Sequence, residues 1–212
     1  MTQITAETKE EIRSRFPQFV EATRLFTPKN CRPENIKVFP ANSAATAKRG
    51  ANSSMLRLRF SGGAIDQKHI AFLKEALDKY DTDLVHFTTG EALQIHHLNE
   101  QSVLDLYQDC FENGIYCIGA GGDNPRNITA SPLHGIAPGE YFNMTPYIKA
   151  AANFVINLIP VLNCRGSIKS ASPAAATTKG HATFKDLASS LVRTTPSTST
   201  PRRLRRQRLA LR

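Results

Sequence analysis

The side chains best suited to chemistry in this 212-residue chain are arginines set among glycines, prolines and amides. Residues 119–135 read GAGGDNPRNITASPLHG, with four glycines, two prolines and a single Arg126 close to Asn124 and Asn127. Arg126 is the only permanently charged donor there, and a guanidinium presents a planar fork that matches carboxylate and oxyanion geometry. Two more arginines, Arg57 and Arg59, alternate with Leu56, Leu58 and Phe60, so they leave a strand from the face opposite the apolar side chains. The chemistry on offer is recognition of an anion. Proline removes a donor and glycine favours turns, so 119–135 is expected to form neither regular helix nor sheet. Such a loop either caps a domain boundary or presents side chains to an anionic ligand.

The net charge of +9 raises the question of where the positive charge sits. Residues 1–160 hold 16 Lys and Arg against 17 Asp and Glu, whereas 188–212 hold seven Arg and no acidic residue. The basicity belongs to the C-terminal end, and 1–160 is near neutral. The length suits one domain or two small ones with a true core. No apolar run approaches the length of a membrane span and the N-terminus lacks a signal-peptide pattern, so the expected location is cytoplasmic. Cys31, Cys110, Cys117 and Cys164 lack paired metal-ligand spacing and read as buried free thiols, with no metal site of their own.

The elements that must position the arginines follow from periodicity. From 5 to 26, Ile12, Phe16, Phe19 and Val20 share a helical face that Pro17 kinks or splits. Residues 27–54 carry three prolines and read as a connecting segment with a short strand at 36–39. Met55–Phe60 is a strand, and Asp66 caps a helix with Ile70, Leu73, Leu77 and Tyr80 inward. Leu84–Thr88 and Ala92–His96 are strands. Asn99 caps a second helix, with Val103, Leu106, Tyr107 and Cys110 inward and Asn113-Gly114 as its stop. Ile115–Ile118 reads as the last strand. The order across 55–118 is β-α-β-β-α-β, a ferredoxin-like half-domain of the α+β class, with helices on one sheet face and Arg57 and Arg59 on the other. Thr145 and Pro146 start a further helix, with Ile148, Ala152, Val155 and Ile159 as its stripe. From about 189 onward the composition builds no core and reads as disordered.

Several of these residues occur in an order that resembles the siroheme-dependent nitrite/sulfite reductase family. They are Leu56-Arg57-Leu58-Arg59-Phe60-Ser61-Gly62-Gly63, Phe87-Thr88-Thr89, Gln94-Ile95-His96, Gly122-Asp123, Arg126-Asn127-Ile128 and Ser131-Pro132-Leu133-His134-Gly135, with an echo at 181–187. The resemblance covers roughly 50–160. It implies that 119–187 begins a domain holding siroheme and a four-iron four-sulfur cluster. It further implies a six-electron reduction of sulfite or nitrite, and an electron donor. Arg57 and Arg126 would then line the substrate-anion side of the siroheme, and Gln94, His96 and Asn127 would contact the macrocycle or its carboxylates.

The chain departs from the family pattern in three ways. Gly90-Glu91 stands where a further arginine is usual, which weakens the cation set and adds a carboxylate. A lysine-rich stretch after the Thr145–Pro160 helix is replaced by Leu162–Lys169, and the four cluster cysteines do not occur. A shifted reading frame accounts for the second departure. Residues 162–170 can be encoded so that a neighbouring frame reads E-L-P-R-K-Y-K-V, and 187–193 so that it reads G-F-V-A-R-E. The expectation is a fragment, unable to turn over alone, whose basic tail is a translation scar. Two other readings compete. The Arg-rich tail could bind nucleic acid with strong salt dependence, although no aromatic-basic interleaving accompanies it. Gly119–Gly122 could cradle a dinucleotide, yet it lacks the third glycine and a directly following helix.

Overall fold

A computed structural model of the chain describes residues 4–25, 45–47, 54–121, 124–136, 143–159, 168–172 and 187–188. The N-terminal helical signal forms two pieces, α1 (Ala6–Ser14) and α2 (Phe16–Leu25), separated at Arg15. Pro17 falls in the first turn of α2, where a missing N–H costs no helical bond. Phe16 and Phe19 of α2 pack on Tyr107, with ring centroids 5.9 and 4.7 Å away.

The main sheet contains β1 (Ala45–Ala47), β2 (Ser54–Arg59), β3 (Val85–Phe87) and β4 (Ala92–Leu98), ordered β1-β2-β4-β3 with antiparallel neighbours. Two helices cover one face: α3 (Gln67–Lys79), capped by Asp66, and α4 (Glu100–Glu112), capped by Asn99. Leu56, Leu58, Phe60, Leu93 and Ile95 meet Leu73, Ala76, Val103, Leu106 and Cys110 in the largest core cluster. On α3 the inward row runs through Ala76, whereas Ile70 is 58% exposed. Leu73, Leu77 and Tyr80 of the stripe read from the sequence pack on this core, and Ile70 alone does not.

Two elements differ from the sequence reading. Residues 115–117 form no strand; after Gly114 the chain turns, with Ile115 N donating to Cys110 O at 2.8 Å and Ala120 N to Cys117 O at 3.1 Å. The edge of β2 is paired by β1 instead, from Ala45↔Leu56 to Ala47↔Ser54. Residues 125–130, expected to be irregular, form β5 (Pro125–Ala130). Proline is admissible there because it opens the strand. Its ladder lies parallel to β6 (Ile168–Ser172), which pairs in turn with β7 (Leu187–Ala188).

β5 buries Ile128 and Ala130 against Met144 and the Ile148 and Ala152 stripe of α5 (Thr145–Leu158). A third cluster joins Ile12 of α1 to Ile118, Ile156 and Ile159. Gly62 makes the approach of the Ser61–Gly63 turn after β2 to α5 possible: its φ is +64°, and a Cβ there would lie 3.1 Å from Ile148 Cγ2. Among the described residues no helix is long and apolar enough to cross a membrane. Cys110 and Cys117 are buried free thiols, as expected. Cys31, Cys164, the 36–39 strand, most of the proposed frame-shifted segment and the Arg-rich tail lie outside the described residues.

Candidate anion site

The face of the sheet opposite the helices carries Arg57, Arg59, Gln94 and His96, and residues 118–120 and 125–126 lie against its arginines. Arg59 is 8% exposed. Its Nη1 donates to Ile118 O at 2.9 Å, and its Nη2 to Pro125 O at 3.1 Å and Arg126 O at 2.7 Å. Three carbonyl oxygens replace the hydration that burial removes, which is the condition for a buried guanidinium to be tolerated. Burial and the nearby charge of Arg126 pull its pKa down to about 10, so it remains a cation at neutral pH. The end of the 115–118 stretch makes no ladder: Ile118 O is received by Arg59 and Cys117 O by Ala120 N.

Arg57 Nη1 donates to Ala120 O at 2.9 Å, and Arg126 Nη1 donates to the same oxygen. One backbone carbonyl therefore draws two guanidinium groups together. Burial lowers the Arg57 pKa. The three arginines, Asn127, Thr88 and Thr89 line a cavity of about 340 Å³, and none of its described lining residues is acidic. Among the described residues, neither Arg57 nor Arg59 lies within ion-pair distance of a carboxylate. A concentration of like charge of this kind invites an anionic ligand with several oxygens.

Glu91 follows the turn at which the sequence comparison suggested a repelling carboxylate. Its φ is +56°, and its Oε2 accepts from Ala130 N at 2.9 Å. It lines a separate cavity of about 420 Å³ with Phe60, Phe87 and His134. Glu91 is not among the residues lining the cation cleft, and its carboxylate ties β5 to the main sheet.

The other expected site residues fall in different places. Asn127 lines the cleft, but its Nδ2 is taken by Phe60 O (2.6 Å), Glu91 O (2.8 Å) and Gly90 O (3.2 Å). It is foremost a clamp between β5 and the turn before β4. Gln94 pairs across from Arg57, and in the amide orientation that satisfies its neighbours its oxygen accepts from Arg57 Nε at 2.9 Å. His96 is buried, with ring centroids 6.3 Å from His86 and 6.5 Å from His97, and does not line the cleft. Sequence reasoning left Arg59 outside the site. Its spacing two residues from Arg57 was the available signal, since i and i+2 share a strand face. Gly119 does not open a dinucleotide loop: it sits in a buried turn against Arg59 and Ile159, and the following element is β5, not a helix.

Comparisons with known proteins agree with this architecture. Residues 47–110 match the nitrite/sulfite reductase ferredoxin-like half domain. The chain is 29% identical over 104 residues to a ferredoxin–nitrite reductase from Leptolyngbya laminosa, covering 49% of this chain and 20% of that protein. It is 27% identical over 112 residues to sulfite reductase [ferredoxin] 1 from Mycolicibacterium paratuberculosis, covering 53% and 20%. The chain thus spans about a fifth of the length of the curated relatives it matches. The Mycobacterium tuberculosis NirA protein has the same fold over 88% of this chain and 38% of its own, with a TM-score of 0.66 at 16% identity. Residues 47–110 thus match a nitrite/sulfite reductase ferredoxin-like half domain, and through it the chain is similar to nitrite and sulfite reductases.

Proposed function

We propose that the chain supplies the cationic wall of a siroheme centre that reduces nitrite or sulfite. The observation that carries this reading is the convergence of Arg57, Arg59 and Arg126 on one cleft without a carboxylate among its described lining residues. Siroheme bears eight carboxylates, and nitrite and sulfite are small oxyanions, so both need fixed cations of this kind. In this reading Arg59 is the structural charge that holds the 118–126 segment. Arg57 and Arg126 line the cleft as cations and would neutralise charge that builds on the oxygens of the anion. Asn127 holds the strand that carries Arg126. When bound, siroheme supplies the redox chemistry that side chains cannot provide.

The residues do not fit the iron–sulfur cluster equally well. Among the described residues no three His, Cys, Asp or Glu are placed to share a metal. Burial raises the Cys110 pKa, which favours the thiol over the ligating thiolate. The cluster, and with it turnover, therefore require ligands beyond those described. The electron donor proposed is a ferredoxin, the donor named for the curated relatives. No described residue favours the nucleic-acid reading, which rests on the Arg-rich tail.

Optical titration of the chain with siroheme tests the proposal. Arg57→Ala and Arg126→Ala are each expected to weaken binding about tenfold or more, the scale of one lost charge-assisted contact. The exposed Lys68→Ala is the control and should leave the affinity unchanged. Equal affinity in all four proteins would remove Arg57 and Arg126 from the site.

A further inference from the structure

Arg57, Gln94 and His86 stand in one row across three strands. Gln94 on β4 is opposite Arg57 on β2 and opposite His86 on β3. Directly opposed residues of antiparallel strands share a sheet face, so the three side chains meet. Gln94 Oε1 accepts from Arg57 Nε at 2.9 Å and from Arg57 Nη2, while Gln94 Nε2 donates to His86 Nδ1 at 3.2 Å. The reverse amide orientation sets donors against the guanidinium and an acceptor against the imidazole lone pair. The orientation is therefore decided at both ends, and one end can change its proton.

We propose that His86 is a positioning residue for Arg57: the lone pair on its Nδ1 keeps the Gln94 oxygen turned toward the guanidinium, and protonation there releases it. An imidazolium Nδ1–H needs an acceptor. Gln94 meets that need only by turning its oxygen toward His86, which brings its NH₂ group against the Arg57 donors. Arg57 is then left with Ala120 O and loses the bonds that fix its Nε edge. His86 is exposed at the sheet edge, so protons reach it freely. Among the described residues, the ionisable groups facing it are His96, with ring centroids 6.3 Å away on β4, and Arg57 beyond Gln94. Any pH dependence must be assigned against His96 as well.

The link to anion affinity rests on Arg57 acting as an anion-binding cation; the side-chain row itself does not. Site-resolved NMR of the full chain separates the two. The Arg57 Nε–H signal is expected to shift with pH at the same midpoint as the His86 Cε1–H signal. His86→Gln, which keeps an amide acceptor but does not titrate, should abolish the step and hold the alkaline position. His86→Phe, which offers no donor to draw the Gln94 oxygen away, should likewise hold the alkaline position, whereas His96→Phe should retain the step. Arg57 Nε–H that does not titrate, or that titrates unchanged in both His86 variants, would overturn the proposal.

Affinity for an octacarboxylate tetrapyrrole gives the functional arm. Between about pH 8 and about pH 5.5 the parent chain is expected to lose roughly threefold to tenfold more affinity than His86→Gln or His86→Phe, the scale of one lost hydrogen bond. A chain that couples His86 to Arg57 but binds no tetrapyrrole would refute the anion reading alone. Binding that depends on Arg57 while its Nε–H ignores His86 would refute this inference alone.

Discussion

A guanidinium taken out of water persists only where oxygens replace its hydration, and Arg59 meets that condition with the carbonyls of Ile118, Pro125 and Arg126. Its removal leaves those buried acceptors without donors. Arg59→Met is expected to cost about 2–4 kcal/mol, read as a lower urea midpoint. Arg59→Lys should recover only part of that loss, because one ammonium cannot reproduce a fork spanning three carbonyls. Equal stability of the three proteins would show that the 118–126 segment is held by packing alone. At this scale the sequence disclosed residue types and strand faces: Arg57 and Arg126 were legible as anion donors, and alternation put Arg59 beside Arg57. It did not disclose that Arg59 would be consumed by backbone. That depends on where residues 60 positions later in the chain come to rest, a distance over which local periodicity carries no information.

At the scale of elements, capping was the most readable signal. Asp66 and Asn99 both accept from the backbone N–H three residues on, as their positions before apolar-periodic runs implied. The bond from His69 N lowers the Asp66 pKa below its ordinary 3.8. A depressed carboxylate stabilises the fold above its unfolded value and loses that contribution as pH falls through the folded value. Stability should therefore drop below about pH 4 by a component that Asp66→Ala lacks; urea titrations at pH 5 and pH 3 measure it. An identical pH response in parent and variant would contradict the cap. The edge of the sheet was less readable. Ile115–Ile118 has strand composition, but the chain turns after Gly114 and Ile118 O goes to Arg59, while β1 takes the place beside β2. Gly119 belongs to that turn, with φ +66° and a Cβ position 2.6 Å from Ile159 Cδ1 and 3.1 Å from Arg59 Nη1. Gly119→Ala is expected to cost about 1–3 kcal/mol, with a lower thermal midpoint and weaker tetrapyrrole binding together. A stable variant with unchanged binding would show that the turn does not set the arginine geometry.

At the scale of the whole molecule, the sheet with its two helices and the β5–α5 unit are joined by side-chain hydrogen bonds as well as by the apolar cluster of Ile118, Ile156 and Ile159. Asn127 reaches Phe60, Gly90 and Glu91, Glu91 reaches back to Ala130, and Arg59 spans both units. The half-domain was legible because each of its elements has local pattern and its motifs recur in a known family. β5 was not, because Pro125 and the neighbouring glycines mask a short strand whose partner lies some 40 positions away in the chain. The net charge was a poor guide: the seven arginines of 188–212 dominate it, while the cleft depends on three others. That tail also competes for any polyanion, so bulk affinity alone does not locate the site. The most direct test is to add an octacarboxylate tetrapyrrole to the isotope-labelled full chain and follow each arginine Nε–H by NMR. Saturable shifts of Arg57 and Arg126, persisting when the tail arginines are screened by salt, are the predicted result. Shifts confined to the arginines of 188–212, with Arg57 and Arg126 unmoved, would contradict the account.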